Sequence, residues 1–435
     1  MNQAEPLYAW YGDDFTGSTD VLETLAEAGI EAVLFVGAPT PERLAAFSGC
    51  PAIGVAGDSR SRSPEWMSEH LPGVFAALKR LGARVTHYKV CSTFDSAPHR
   101  GSIGRAMEIG REAFGGGFVP IVVGAPHLRR YLAFGNLFAA AGAEVFRIDR
   151  HPTMSRHPAT PMSEADLRRH LAGQTGLSIG LVDLSDLKTG RAGERLTQRL
   201  AEGCEAVLFD GVDETDLAAT GELLWARAQA SPLFGVGSSG LTRSLVTQWR
   251  AAGLAREAAA PRPVPTDAIL VVSGSCSPVT EAQIRTALAS GYAGLPVDPD
   301  ILLDPVEGGA LAEASIVGAC EALAAGRSAV IYTALGPLEQ TPAAGEALGA
   351  RLGAVLKDAL VRSGVRRALV AGGDTSSHAV AELGLYALTW AGRLQTGAPL
   401  CRTHAEDPAL DGRELILKGG QIGSDDFFEV ARRGG

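Results

Sequence analysis

LYAWYGDDFTGSTDVLETLA occupies residues 7–26 and passes from an apolar run, through a polar loop, into a helical repeat. The run 7–11 predicts a buried β-strand, and apolar residues recur at helical spacing from Val21 onwards. A hydroxyl at Thr16 or Ser18 can cap that helix. The same order of strand, polar loop and helix recurs along the chain. The sequence therefore predicts an α/β fold with mainly parallel sheets.

The 435 residues are too many for one ordinary hydrophobic core, so we expect two α/β domains. The segment 251–266 carries three prolines within five residues, which interrupt both helix and sheet and predict a linker. The predicted domains are residues 1–250 and 267–435. The strand candidates are 7–11, 33–36, 53–56, 85–91, 119–123, 145–148, 179–182, 206–209, 234–236, 269–272, 329–332, 368–370 and 415–417.

Composition excludes several classes of protein. The net charge of −10 argues against a nucleic-acid partner, which favours a basic face. The six cysteines are scattered without C-x-x-C spacing, as is typical of reduced thiols in the cytoplasm. The first residues have no basic n-region or apolar h-region, so we expect no signal peptide, and no apolar run approaches the roughly 18 residues of a membrane span. We expect a cytoplasmic protein without a membrane partner, and the histidine spacing assigns no metal ligands.

Two adjacent carboxylates, Asp13 and Asp14, follow the first predicted strand. Ligands of open parallel sheets bind beyond the carboxyl ends of the strands. A carboxylate in that place can act as general base, or as a ligand on the magnesium side, for a substrate hydroxyl. An acidic helix cap beside a solvated aspartate accounts for the same pair. Both interpretations stay open, and Asp13 and Asp14 are the candidate catalytic residues.

Two further loops in the first half suit an anion. One follows strand candidate 85–91 and leads to GSIG at 101–104, where a helix opens. Hydroxyls, a lysine and backbone N–H groups at a helix start bind carboxylates or phosphates, although a capped polar turn looks the same. The other loop, 57–63, is rich in Ser and Arg, as exposed surface loops also are. The candidate ligands are Lys89, Ser92, Thr93, Asp95 and Arg60.

Three turns rich in Gly and Ser follow strand candidates in the second half, at 273–278, 372–377 and 418–423. Glycine lets backbone N–H groups approach phosphate oxygens closely. One such turn is weak support, but three in one domain predict a nucleotide site. The pattern G-x-x-x-x-G-K-[ST] does not occur, so the nucleotide site is not a P-loop.

GVGSSG, from Gly235 to Gly240, matches the dinucleotide pattern G-x-G-x-x-G. A dinucleotide site requires a second strand ending in an acid about 20 residues later, and the proline-rich linker stands there instead. We therefore favour helix–sheet packing, or a wall of the cleft, for this turn. Two alternatives stay open: an NAD(P)-dependent oxidoreductase that uses this turn, and a non-catalytic two-domain ligand-binding sensor.

Taken together, these motifs resemble the four-carbon acid sugar kinase family. They occur in the family's order and span nearly the whole chain. CSTFDS is similar to the 3-oxotetronate kinase branch, whereas Leu128-Arg129-Arg130-Tyr131 departs from a Gly-Arg-Thr element usual in the family. The matching pieces are DDFTGSTD at 13–20, YKVCSTFDS at 88–96, GSIG at 101–104, HPATPM at 157–162, GSSGL at 237–241, SGSCSPVT at 273–280, GGDTSSHAV at 372–380 and LKGGQIGSDDF at 417–427.

The resemblance implies an N-terminal substrate domain, a C-terminal ATP domain and an active-site cleft between them. It implies an ATP-dependent kinase, with Mg²⁺, that phosphorylates the terminal hydroxyl of a four-carbon acid sugar such as 3-oxotetronate, D-threonate or D-erythronate in carbohydrate catabolism. The expected partner is the small acid sugar, and a homodimer is a hypothesis. The implied substrate contacts are Asp13, Asp14, Arg60, Lys89, Ser92 and Thr93, and the implied ATP contacts are Ser273, Gly274, Ser275, Gly372, Gly373, Asp374, Thr375, Gly420 and Gly423.

Overall fold

The computed structural model describes residues 5–115, 117–157, 159–256, 261–336 and 342–435. It confirms the two-domain α/β fold with mainly parallel pairing. The strands are β1 Tyr8–Gly12, β2 Ala32–Val36, β3 Ala52–Ala56, β4 Val85–Lys89, β5 Val119–Val122, β6 Arg130–Ala133, β7 Asn136–Ala141, β8 Glu144–Arg147, β9 Ile179–Val182, β10 Ala206–Phe209, β11 Leu233–Gly237, β12 Leu270–Ser273, β13 Ala293–Pro296, β14 Ala329–Tyr332, β15 Arg367–Ala371, β16 Leu385–Gln395, β17 Ala398–Ala405 and β18 Glu414–Lys418.

Helices follow most of the parallel strands and cover the sheets, as crossover connections require. They are α1 Phe15–Glu27, α2 Pro41–Ala45, α3 Pro64–Arg80, α4 Ile103–Phe114, α5 Leu167–Ala172, α6 Leu184–Lys188, α7 Ala192–Ala201, α8 Glu214–Ala230, α9 Ser239–Ala251, α10 Pro278–Ala289, α11 Pro299–Leu303, α12 Gly308–Ala324, α13 Pro342–Ser363, α14 Gly373–Glu382 and α15 Phe427–Arg433. Within the described part of the chain, no helix combines the length and the apolar character that a membrane span needs.

The first compact unit comprises Met1–Asp13, Thr24–Ala32 and Leu44–Ala258. Its main sheet has the order β3-β1-β4-β11-β5-β10-β9, and every neighbouring pair is parallel. All five residues of β1 are buried, because strands lie on both sides of it and helices cover the sheet. A separate antiparallel sheet, β6-β7-β8, follows β5 along the chain.

The second compact unit comprises Asp14–Glu23, Val33–Arg43 and Ala259–Gly435. Its strands β13, β14, β12, β15 and β18 are parallel neighbours in that order. Strands β17, β16 and β2 then follow, paired antiparallel. The contiguous division at 251–266 did not foresee that two N-terminal segments belong to this unit, where β2 pairs with β16. In the predicted linker, residues 257–260 lie outside the described residues, and Thr266 N–H donates to the carbonyl of Arg432 at 2.9 Å.

The sequence reading missed β6, β7, β13 and the long pair of β16 and β17. Register shifts at β-bulges interrupt β16 between Leu385 and Gln395, so its side chains do not alternate regularly along the strand. The candidate 145–148 forms β8, but in the small antiparallel sheet. Fully buried parallel strands produce continuous apolar runs, which is why the parallel strands were predicted more completely than the antiparallel ones.

The turn from Gly235 to Gly240 packs closely against backbone. A Cβ atom at Gly237 would lie 2.0 Å from the carbonyl oxygen of Val122, and one at Gly240 would lie 1.9 Å from that of Gly124. Real Cβ atoms do not approach other atoms so closely. These glycines are therefore required for helix–sheet packing, which is the interpretation favoured above.

Candidate functional site

Asp13 is the first residue after β1, and its neighbours hold it rigidly. Its backbone N–H donates to the carbonyl of Lys89 at 2.9 Å, which ties the ends of β1 and β4 together. Arg60 contacts both carboxylate oxygens, with Nη2 donating to Oδ1 at 3.0 Å and Nε donating to Oδ2 at 3.3 Å. Paired bonds of this kind fix the plane of a carboxylate. Asp13 is therefore a buried anion with a set orientation.

Asp14, the next residue, has a different role because it caps α1. Its Oδ1 accepts a hydrogen bond from the N–H of Gly17 at 2.8 Å, and its Oδ2 accepts one from Thr16 Oγ1 at 2.7 Å. The backbone carbonyl accepts from Ser18 N–H at 3.1 Å. The prediction that Thr16 or Ser18 caps this helix is wrong. The two candidate acids are thus distinguished: one caps a helix and the other is held by an arginine.

The loop after β4 encloses a second carboxylate, that of Asp95. Thr93 Oγ1 donates to its Oδ1 at 2.6 Å. Burial raises the pKa of Asp95, but the charges of Arg60 and His157, together with the hydrogen bonds from Thr93 and the backbone, hold this pKa below its usual value. Lys89, at the end of β4, is buried, and Ser92 is partly exposed. The loop thus brings charges of both signs to the carboxyl end of this strand.

The motif at 157–162 lies against this loop. His157 Nδ1 contacts Thr160 N–H at 3.1 Å and Thr160 Oγ1 at 3.0 Å. Thr160 is buried, and its Oγ1 lies 3.5 Å from Asp95 Oδ2. Residue 158 of the motif lies outside the described residues. The motif that resembles the family at 157–162 therefore packs against Asp95.

The three predicted turns of the second unit lie at the carboxyl ends of three neighbouring strands, β12, β15 and β18. Gly274 N–H donates to the carbonyl of Ala371 at 3.3 Å, and Gly372 N–H donates to that of Lys418 at 2.9 Å. Parallel strands that are adjacent end at one edge, so their turns converge. The candidate residues of these turns are Ser273, Gly274, Ser275, Gly372, Gly373, Thr375, Gly420 and Gly423, and the side chain of Asp374 lies outside the described residues.

Three of these glycines have a backbone conformation or a close contact that a larger residue would not tolerate. Gly372 has φ +120°, and Gly423 has φ +100°. A Cβ atom at Gly420 would lie 2.7 Å from Ser275 Oγ, whereas one at Gly373 would meet nothing within 4 Å. The start of α14 at Gly373 therefore adjoins open space, where backbone N–H groups can receive a phosphate.

Two buried hydroxyls at this edge have no hydrogen-bond partner among the described residues, Thr333 Oγ1 and Ser376 Oγ. Buried polar atoms are nearly always paired, so such atoms commonly indicate a ligand or water. Thr333 follows β14, and its N–H donates to the carbonyl of Ser273 at 3.1 Å. The sequence reading missed this fourth turn, although strand candidate 329–332 directly precedes it.

A buried lysine underlies the last turn and was also missed. Lys418 is fully buried at the end of β18, and its Nζ donates to Thr280 Oγ1 at 3.1 Å. Thr280 Oγ1 in turn donates to the carbonyl of Gly420 at 2.9 Å. Burial lowers the pKa of Lys418 to about 7. Two side chains therefore link the turn after β18 to the first turn of α10.

In the described part of the chain, no three His, Cys, Asp or Glu residues form a group that could hold a metal ion. Mg²⁺ in nucleotide enzymes keeps several waters and takes phosphate oxygens, with only one or two carboxylates from the protein. A cation that arrives on a nucleotide therefore needs no dedicated protein cage.

Two family descriptions together match most of the chain. Residues 8–245 match a family described as Sugar-binding N-terminal domain, and residues 270–428 match one described as Nucleotide-binding C-terminal domain. The chain is 44% identical to 3-oxo-isoapionate kinase of Paraburkholderia graminis, over 98% of this chain and 94% of that protein. It is 31% identical to 3-oxo-tetronate kinase of Pseudomonas savastanoi pv. phaseolicola, over 99% and 98%. A solved structure from Salmonella typhimurium LT2 superposes with a TM-score of 0.78 at 26% identity, over 99% of both chains.

Proposed function

Because the chain belongs to the four-carbon acid sugar kinase family and is a phosphotransferase with an alcohol group as acceptor, we propose that it moves the γ-phosphate of ATP to the terminal hydroxyl of a 3-oxo sugar acid. Both kinases compared above are named for 3-oxo acids, and CSTFDS resembles the 3-oxotetronate branch. The higher identity makes 3-oxo-isoapionate the first substrate to test and 3-oxotetronate the second. D-threonate and D-erythronate are further candidates.

One observation carries the nucleotide half of this proposal: the turns after β12, β15 and β18 converge beside buried hydroxyls that lack partners. Backbone N–H groups of these turns would bind the phosphates, and Thr333 and Ser376 would supply hydroxyl donors. We assign ATP binding to the second unit on this ground. The alternative of a dinucleotide enzyme loses support, because Gly237 and Gly240 are packed against carbonyl oxygens. The alternative of a ligand sensor loses support, because the similar proteins are named kinases.

We assign sugar binding and the acceptor hydroxyl to the first unit. Asp13 would orient the terminal hydroxyl and accept its proton while the hydroxyl oxygen attacks the γ-phosphorus in line and ADP leaves. Arg60 acts through Asp13 by holding its carboxylate. Lys89, Ser92 and Thr93 would contact the sugar, and Asp95 would position Thr93. Catalysis of this type consists mainly of positioning and charge stabilisation.

Mg²⁺, when bound with ATP, would supply positive charge against the negative charge of the phosphates during transfer, and the turns after β12, β15 and β18 would hold the nucleotide that carries it. The protein's own contribution is the set of turns that hold the phosphates and the carboxylate that directs the hydroxyl. A cytoplasmic location is part of the proposal and is consistent with six free cysteines. The homodimer remains a hypothesis that size-exclusion chromatography with light scattering would test.

The test is a coupled assay of ADP release over 3-oxo-isoapionate, 3-oxotetronate, D-threonate and D-erythronate, with thermal unfolding in ATP and in NAD alongside. A ligand at 100 times its Kd stabilises the folded state by about 2.7 kcal/mol, which a thermal scan resolves. We expect stabilisation by ATP and turnover of at least one 3-oxo acid. Stabilisation by NAD without stabilisation by ATP would overturn the kinase proposal.

A further inference from the structure

Arg130 lies at the start of β6, and backbone bonds fix its position. Its N–H donates to the carbonyl of Ala125 at 3.1 Å, and its own carbonyl accepts from Ala125 N–H at 2.9 Å. Its Nη1 donates to the carbonyls of Leu128 at 3.0 Å, Arg129 at 3.3 Å and Ala140 at 3.4 Å. The guanidinium is therefore anchored through one of its two terminal nitrogens.

The opposite edge of the Arg130 guanidinium is vacant within the described part of the chain. Nε is buried without a hydrogen-bond partner, and none of the hydrogen bonds from Arg130 to other described residues uses Nη2. The Nε–Nη2 edge matches the two oxygens of a carboxylate. Three other arginines of this unit, Arg60, Arg147 and Arg168, use that edge on aspartates 13, 149 and 166 respectively.

A partly buried arginine without a nearby anion is costly, because its charge leaves water without compensation. Burial lowers the pKa of Arg130, and no carboxylate of the described chain counters that effect. The charge of Arg130 therefore has no carboxylate partner among the described residues. An anionic ligand would supply such a partner.

Arg130 lies at the same edge of the parallel sheet as the candidate substrate loop. It pairs with Ala125, which follows β5, and β5 and β4 are both parallel neighbours of β11, so the segments after them leave the sheet at one edge. Burial lowers the pKa of Arg130, whereas the thiol of Cys91, the first residue of the CSTFDS segment, raises it. The same thiol interacts with Arg60 and Asp95. Arg60 already uses its Nε–Nη2 edge on Asp13, so this edge is not available to a carboxylate brought by the substrate.

We propose that the Nε–Nη2 edge of Arg130 binds the carboxylate of the sugar acid and that Arg130 determines the preference for acids over neutral sugars. The inference rests on the proposed function and makes it more specific. Arg60 then acts as a positioning residue for Asp13 and not as the ligand of the substrate carboxylate. Arg130 also stands in the segment Leu128-Arg129-Arg130-Tyr131, where the sequence departs from the family pattern.

The chain offers a matched control in the adjacent arginine. Arg129 is exposed and donates to the carbonyls of Gly142 at 2.6 Å and Ala143 at 2.9 Å, within the same small sheet. Arg129→Met removes an arginine and its carbonyl bonds from this hairpin without touching the vacant edge. Arg130→Lys retains a positive charge but cannot make the paired bonds.

The experiment uses the sugar acid that the ADP-release screen turns over best, starting with 3-oxo-isoapionate. It measures KM for that acid, KM for its neutral primary amide and KM for ATP in the wild type and in Arg130→Met, Arg130→Lys and Arg129→Met, with thermal unfolding as the folding control. We expect Arg130→Met to raise KM for the acid about 100-fold, the effect of losing charge-assisted hydrogen bonds. Arg130→Lys should raise it about 10-fold. KM for the amide and for ATP should change less than about 3-fold, and Arg129→Met should behave as wild type.

Equal losses for the acid and the amide in Arg130→Met would mean a merely structural role and would overturn the inference. An unchanged KM for the acid in a folded Arg130→Met variant would also overturn the inference. In either case, turnover of the acid by the wild type would still support the kinase proposal. If the wild type phosphorylates neither 3-oxotetronate nor any other sugar acid in the screen, the proposed function fails, and this inference fails with it.

Discussion

Asp13 and Asp14 are neighbours of the same residue type, and exchanging each for asparagine separates a catalytic role from a capping role. The exchange keeps size and removes one negative charge at either position. Asparagine caps helices about as well as aspartate, so Asp14→Asn should keep the bond to Gly17 N–H and change the free energy of unfolding by less than about 0.5 kcal/mol. Asp13→Asn removes the anion that Arg60 holds and the group that would accept the proton.

The expected magnitudes differ widely. Loss of a general base costs about 10²-fold to 10⁴-fold in kcat, and we expect Asp13→Asn to fall in that range with the Kd for ATP unchanged. Asp14→Asn should retain kcat within about 3-fold. Asp14→Ala, which removes the cap, should cost about 1 kcal/mol and lower the Tm by about 2–4 °C.

The assay is coupled ADP release at saturating ATP, combined with thermal unfolding of each variant with and without ATP. Asp14→Ala serves as the control for damage to α1 alone, because it disturbs the helix start without altering Asp13. Near wild-type turnover in a folded Asp13→Asn variant would refute the role of Asp13. Equal losses of turnover in Asp13→Asn and Asp14→Asn would refute the division of roles between the two acids.

Three further predictions concern the second unit. Gly373→Val should fold normally, since a Cβ atom meets nothing within 4 Å there, but it should weaken ATP binding at least about 10-fold by calorimetry; unchanged affinity would move the nucleotide site elsewhere. Lys418 has its pKa lowered from 10.5 to about 7, so the unfolded state binds more protons between these values and stability should rise with pH across that window. In urea unfolding, the free energy of unfolding of the wild type should be higher at pH 9 than at pH 7, and the difference should be smaller in Lys418→Met. An equal difference in both proteins would contradict this prediction. Thr333→Val removes a buried hydroxyl without a partner among the described residues, so stability should hold while the Kd for ATP rises about 3-fold to 10-fold; an unchanged Kd would exclude Thr333 from the site.

Much of the fold was readable from the chain because parallel strands covered on both faces produce continuous apolar runs. β1 and β15 were found within one or two residues on this ground. The bulged pair of β16 and β17 was not, since its alternation is broken. The membership of Asp14–Glu23 and Val33–Arg43 in the second unit was not readable either. It depends on a pairing between β2 and β16, which lie about 350 residues apart and carry no local signal of one another.

The sequence by itself determined which loops are candidates for chemistry, because polar residues directly after buried parallel strands lie where ligands of such sheets bind. Only the tertiary structure decided which neighbours each of these side chains has. Adjacent aspartates differ because Arg60 reaches Asp13 while the start of α1 occupies Asp14. Arg130 and Thr333 gained significance only from atoms left without partners in the described chain. The sequence does not show whether a polar atom lacks a hydrogen-bond partner, because an exposed atom can bond to water and only the tertiary structure shows which atoms are buried.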